Sequence, residues 1–291
     1  MNFMRLIVLP YETINDIEIY YEIHGPSEAP PIIFIEGWGY SLWMWFRQIP
    51  FLKEKYRCIV FDNRGVGKSS KPNYPYTMEM FANDAVSLMD ALDIQTAHIL
   101  GISMGGFIAQ QIAISYPDKV RSLILVSTSF GGPNTIPSSN RTQAMMFATP
   151  TETLSKEQAT KMRYSVVFSE QFQRENKSLI DQIQSWREQV PQSLIARGHQ
   201  ASAAIAFNAE NEVKKIKVPT LILHGISDLV VPPENAEDLA QHIPTSRLIL
   251  IEGGPHLSFI EYYEKFNEQV ANFIDEVEKK SFSPSREKKI I

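Results

Sequence analysis

Short apolar runs alternate with helix-length segments along the first part of the chain. Residues 17–23, Ile-Glu-Ile-Tyr-Tyr-Glu-Ile, alternate and predict a strand with one solvated face. Ile32 to Ile35 is a continuous β-branched and aromatic run, as a strand buried on both faces requires. Cys58 to Phe61, His98 to Leu100 and Leu123 to Val126 repeat that pattern. Between these runs lie helix-length segments at 41–54, 77–93 and 105–116. The alternation resumes with Thr220 to Leu223, a helix near 233–242, a strand from Arg247 to Ile251 and a helix near 259–276. Strands alternating with helices imply an α/β fold with a mostly parallel sheet covered on both faces.

Residues 131–212 interrupt the alternation. They open with the turn-forming Gly131-Gly132-Pro133-Asn134 and then read as several helices containing Met145, Met146, Met162, Phe168, Phe172 and Trp186. These side chains are expected mainly to form the insertion's own core. The chain thus divides into a core of 1–130 and 213–276 and a helical cap of 131–212. The cap is expected over the C-terminal edge of the sheet, where open α/β sheets bind ligands. Residues 277–291 mix Lys, Glu, Ser, Arg and Pro284 and are expected as a flexible tail. The run Leu6 to Leu9 is too short for a signal-peptide core and is expected to begin a strand.

Composition narrows the function. Lys plus Arg is 28 against 33 for Asp plus Glu, a net charge of −5, so there is no basic excess of the kind nucleic-acid binders carry. The single cysteine, Cys58, excludes an intrachain disulfide and makes the cytoplasm the simplest setting. No segment approaches the ~18 apolar residues of a membrane span. No Cys/His grouping has metal-ligand spacing, and neither metal nor organic cofactor is expected.

The chemistry concentrates in His98-Ile99-Leu100-Gly101-Ile102-Ser103-Met104-Gly105-Gly106. A β-run leads directly into Gly-x-Ser-x-Gly and a helix follows, which is the arrangement of a nucleophile elbow. A serine hydroxyl needs a general base. Of six histidines, His98 and His224 fall inside buried strands, His24 ends an early hairpin, His199 lies in the insertion and His242 at a helix end. His256 lies in a loop after a strand, on the edge that carries Ser103, and is the expected base. Asp228 follows the strand 220–223 on the same edge and is the expected carboxylate partner. The order Ser103, Asp228, His256 is the one this fold uses. The amides of Met104 and Trp38 are the expected oxyanion donors. Gly37, Phe130 and Trp186 are the expected substrate contacts.

These segments make the chain resemble the α/β-hydrolase superfamily, and within it small carboxylesterases and lactonases of the 3-oxoadipate enol-lactonase type. The likeness rests on Gly37-Trp38-Gly39, on Phe61 to Ser70 (FDNRGVGKSS), on the Ser103 elbow, on Val218-Pro219-Thr220-Leu221 with Asp228, and on Gly254-Pro255-His256. It implies a serine hydrolase cleaving a small ester or lactone through an acyl-enzyme on Ser103, as a monomer or homodimer. The same triad could instead serve C–C bond hydrolysis, a cyanohydrin lyase or a perhydrolase, or the fold could act as a small-ligand sensor. Such families usually have His-Gly where this chain has Glu36-Gly37. Glu36 is therefore expected to point away and bond backbone, since an ionised carboxylate would repel an oxyanion. The stretch Gly65-Val66-Gly67-Lys68-Ser69 resembles the end of a phosphate-binding loop, but Asp62 occupies the position of its first glycine. It is expected to be a structural turn.

Overall fold

A computed structural model describes residues 10–291; the strand expected from Leu6 to Leu9 lies outside them. Among the described residues nine strands form one sheet: β1 (Tyr11–Ile14), β2 (Ile17–His24), β3 (Pro31–Ile35), β4 (Arg57–Phe61), β5 (Ala97–Ile102), β6 (Val120–Val126), β7 (Thr220–Gly225), β8 (Ser246–Ile251) and β9 (Lys289–Ile290). Their order is β1-β2-β4-β3-β5-β6-β7-β8-β9. The pairs β1/β2 and β2/β4 are antiparallel and the others parallel.

Alternation along the buried strands divides the core in two. Ile33 and Ile35 join one apolar cluster, while Ile32 and Phe34 join the other. Helices α2 (Met78–Ala91), α3 (Met104–Ser115) and α9 (Glu234–His242) contribute to the first cluster, and α1 (Ile49–Leu52), α10 (Ser258–Glu261) and α11 (Tyr263–Glu278) to the second. The expected helix at 41–54 is a 3₁₀ turn, Leu42–Trp45, followed by the four-residue α1 with Pro50 in its first turn. Proline suits a first turn but not a helix interior, so one continuous helix is excluded.

Between β6 and β7 come α4 (Asn140–Met146), α5 (Lys156–Val167), α6 (Glu170–Glu175), α7 (Lys177–Gln189) and α8 (Leu194–Ala206). Ser139, Ser155, Ser169 and Ser193 cap α4, α5, α6 and α8 by accepting a hydrogen bond from a backbone N–H of the first turn.

The chain end departs from expectation. Lys289–Ile290 does not fray but adds the ninth strand, parallel to β8. The N–H of Glu252 donates to the Ile291 carbonyl at 3.0 Å, and Arg247 anchors the approach by donating to the Ser283 carbonyl at 3.0 Å. Pairing satisfies backbone groups along the exposed edge of β8, which outweighs the polar character of the tail.

Candidate active site

Ser103 sits between β5 and α3 with φ 53° and ψ −118°. A non-glycine residue held there stores about 1–3 kcal/mol of strain, which the surroundings must over-determine. They do so by hydrogen-bonding the backbone N–H and carbonyl of Ser103. The Ser103 N–H donates to Val126 O at 2.9 Å, and the Ser103 carbonyl accepts from Gly106 N at 2.8 Å and Thr128 Oγ1 at 2.9 Å. The flanking glycines are sterically required. A β-carbon on Gly101 would lie 2.1 Å from Gly105 O, and one on Gly105 would lie 2.2 Å from Ile35 O.

Ser103 lines a cavity of about 600 Å³ together with Gly37, Trp38, Met104 and His256. A β-carbon on Gly37 would lie 3.5 Å from Ser103 Cβ, so the loop after β3 abuts the serine. His256 follows β8, and its Nδ1 is 2.8 Å from Asp228 Oδ2. Asp228 follows β7, and its Oδ1 accepts from Val230 N at 2.8 Å and Val231 N at 2.9 Å. The two loops are tied together by Ser227 N donating to Gly254 O at 2.9 Å.

Burial alone would raise the Asp228 carboxyl, but the neighbouring His256 and His224 hold it well below the usual carboxylate range. An ionised carboxylate only accepts, so His256 Nδ1 must carry the proton. That leaves Nε2 as the nitrogen available to Ser103. No hydrogen bond joins Ser103 and His256 among the described residues; such contacts often tighten only around bound substrate.

Some sequence-based expectations need correcting. Phe130 is buried and is not among the cavity's lining residues; its ring packs 5.1 Å from His242 while its carbonyl accepts from Ala209 N. Its neighbour Ser129 lines the cavity instead. Trp186 also stays outside, because α7 packs it against Trp43 at 5.7 Å and Phe46 at 5.0 Å. Sequence reasoning missed His224 as a polar neighbour of the site. Its Nε2 donates to Val231 O at 2.8 Å and lies 3.3 Å from Asp228 Oδ2. The signal was its place near the end of β7, just before the loop that carries Asp228. It also missed the wall residues Tyr40, Phe107, Met146, Phe147, Val231 and Asn235, which four stretches of chain bring together.

Glu36 is fully buried and does not line the cavity. Its Oε1 accepts from Asn63 N at 2.6 Å. Burial first, then the nearby Asp62, pushes its carboxyl well above the ordinary range. The FDNRGVGKSS segment is an architectural turn. Asp62 accepts from Leu42 N at 2.8 Å and Lys68 N at 2.7 Å, while Arg64 forms a bidentate pair with Asp84 of α2 at 2.5 and 2.7 Å. Among the described residues no cluster of three or more His, Cys, Asp or Glu is arranged to hold a metal ion. No described helix is long and apolar enough to cross a membrane.

Known proteins are similar to this chain along most of their length. The 3-oxoadipate enol-lactonase 1 of Acinetobacter baylyi is 30% identical over 258 residues, covering 88% of this chain and 93% of the relative. The crystal structure of the enol-lactonase from Burkholderia xenovorans LB400 superposes with a TM-score of 0.79 at 27% identity, covering 91% of this chain and all of that one. A bromoperoxidase from Bacillus anthracis superposes with a TM-score of 0.76 at 26% identity, covering 89% and 96%. The sequence profile described as alpha/beta hydrolase fold matches residues 30–263. The chain belongs to the alpha/beta hydrolase fold family and is an enzyme of that superfamily.

Proposed function

We propose that this protein is a serine hydrolase of small carboxylic esters or lactones, acting through an acyl-enzyme on Ser103. The observation that carries the reading is the convergence of the strained Ser103 and the Asp228-held His256 on one cavity. His256 Nε2 takes the proton of Ser103 as Oγ attacks the substrate carbonyl. The amides of Met104 and Trp38 receive the oxyanion; Met104 is the first residue of α3, a position whose N–H has no intrahelical acceptor. His256 then returns its proton to the departing alcohol, or to the ring oxygen of a lactone. Water, deprotonated by the same nitrogen, cleaves the acyl-enzyme.

The walls suit a compact apolar acyl group: Trp38, Met44, Phe107, Met146, Phe147 and Leu257 surround the serine. Residues from the inserted helices supply much of this wall, so 131–212 acts as a cap that shapes the pocket and excludes water. The test is turnover of a p-nitrophenyl ester series and matched lactones by the wild type and Ser103→Ala. Loss of about 10⁴–10⁶ in turnover is expected. A variant keeping more than about a tenth of the activity would overturn the reading. The likeness to a bromoperoxidase favours a second reading, another reaction on the same three residues. Peroxide-dependent bromination exceeding ester turnover would select it.

A further inference from the structure

A second cavity, of about 360 Å³, lies between α5, α7 and α8, behind the loop that carries Trp38. Arg163, Arg187 and Arg197 line it, and none of the three makes a salt bridge among the described residues. Arg163 donates from Nη1 to Ala148 O at 2.5 Å and from Nη2 to Thr160 Oγ1 at 3.0 Å, but its buried Nε has no partner. Arg187 lies over the Tyr40 ring, 4.6 Å from its centroid. Arg197 lies 4.4 Å over the Trp38 ring, with only a long contact of 3.4 Å to Met146 O.

Glu188 lines the same cavity but is taken by two other lining residues: it pairs with Lys156 at 2.8 Å and accepts from Gln184 at 2.7 Å. Burial, then the neighbouring guanidinium charges, lowers the Arg163 and Arg197 pKa values, Arg197 to about 10. Four cations, Lys156 and the three arginines, thus face one carboxylate, which Lys156 occupies, in a protein whose net charge is −5. Guanidinium forks suit the two or three oxygens of a carboxylate or phosphate.

We propose that this cavity binds the carboxylate or phosphate group of a small anion through Arg163, Arg187 and Arg197. Tyr40 lines both cavities, and Trp38 Nε1 donates to Arg197 O at 3.0 Å. The anion therefore sits against the far side of the wall that faces Ser103. It is either the acidic arm of a substrate reaching past Tyr40 or a separate free anion.

Binding is measured with inorganic phosphate and with glutarate, as calorimetric heat and as a rise in melting temperature against sodium chloride of equal ionic strength. The proteins are the full chain, Arg187→Gln, Arg187→Lys and the double variant Arg163→Gln/Arg187→Gln. An anion site predicts saturable binding in the wild type, partial retention in Arg187→Lys and loss in the double variant. It also predicts that Arg187→Gln without anion melts no lower than wild type, since a repulsive charge has gone. No saturable binding, or equal binding by the double variant, would overturn the proposal.

The second measurement distinguishes the sources and rests on the ester-hydrolase reading. If the anion is the acid arm, Arg187→Gln raises KM for a p-nitrophenyl ester ending in a carboxylate by about tenfold, the equivalent of one charge-assisted hydrogen bond, and leaves the neutral ester unchanged. If it is a free anion, phosphate alters turnover of the neutral ester only while Arg187 is present. Absence of all hydrolysis would overturn the ester reading alone, because the binding measurements need no turnover.

Discussion

The sheet edge and the inserted helices solve opposite problems. At the edge, both Asp228 oxygens are engaged, Ser103 is pinned by hydrogen bonds to Val126, Gly106 and Thr128, and the loops after β7 and β8 are bonded to each other. In the insertion, Leu194, Ile195 and Ile205 are 72%, 57% and 77% exposed, and three arginines make no salt bridge among the described residues. Each helix there except α7 is defined by its own serine cap. The edge can be specified once, by strands and glycines, and kept. On the proposed function, the insertion could change its walls without disturbing the edge, with reaction chemistry in one region and selectivity in the other.

The sharpest demonstration that the edge carries the chemistry is Asp228→Asn. Loss of the carboxylate removes the group that fixes His256 Nδ1–H, and turnover should fall by about 10⁴ with little change in KM. Steady-state kinetics with a melting curve as control checks this; a loss under about tenfold would separate Asp228 from catalysis. Next in size is Asp84→Ala, a change in the scaffold rather than the site. It would leave the buried Arg64 without its bidentate partner and should cost about 3–5 kcal/mol in denaturant unfolding. A cost under about 1 kcal/mol would mean that water replaces the carboxylate.

The same contrast explains what could be read from the chain. The buried strands and the elbow are contiguous in sequence, and their physics is local: β-branched runs, then two glycines that no other residue can replace. Asp228 and His256 follow from them because they come next after strands that end on the same edge. The 3₁₀ turn and α1 are less legible, since Pro50 breaks a pattern whose apolar positions still fit one helix. Pairing with the edge of β8 decides β9, and the short polar segment holding it carries no periodicity. Phe130 and Trp186 failed as pocket residues for a common reason. Each satisfies its apolar surface against a ring elsewhere, which depends on how distant elements pack. The arginine cavity joins residues from three separate helices, and no spacing along the chain announces it.

Glu36 offers a smaller effect with a defined pH dependence. Its folded pKa is raised, chiefly by burial, so the native state holds the proton more tightly than the unfolded chain. That contribution is complete below the unfolded carboxylate value and is lost as pH rises through the raised folded value. Glu36→Gln, neutral at every pH, should match wild type at the acid end and become relatively more stable with rising pH, by up to about 1.4 kcal/mol per pH unit. Denaturant unfolding of both proteins over that range is the measurement. Parallel curves would mean that Glu36 has the same pKa folded and unfolded.

The mildest change asks whether the insertion sets selectivity independently of the edge. Ile205 lines the main cavity yet is 77% exposed, so it stands at the rim with little burial to lose. Ile205→Ala should leave the melting temperature within the usual range for surface substitutions. It should widen the entrance and raise relative turnover of longer acyl chains by about threefold, less than the about 1–3 kcal/mol that one enclosed methylene contributes to discrimination, because Ile205 is mostly exposed. Turnover of the shortest ester, which does not reach the rim, should stay as in wild type. A uniform fall across the whole ester series would mean that the rim and the serine are coupled, and that the insertion cannot vary independently of the chemistry beneath it.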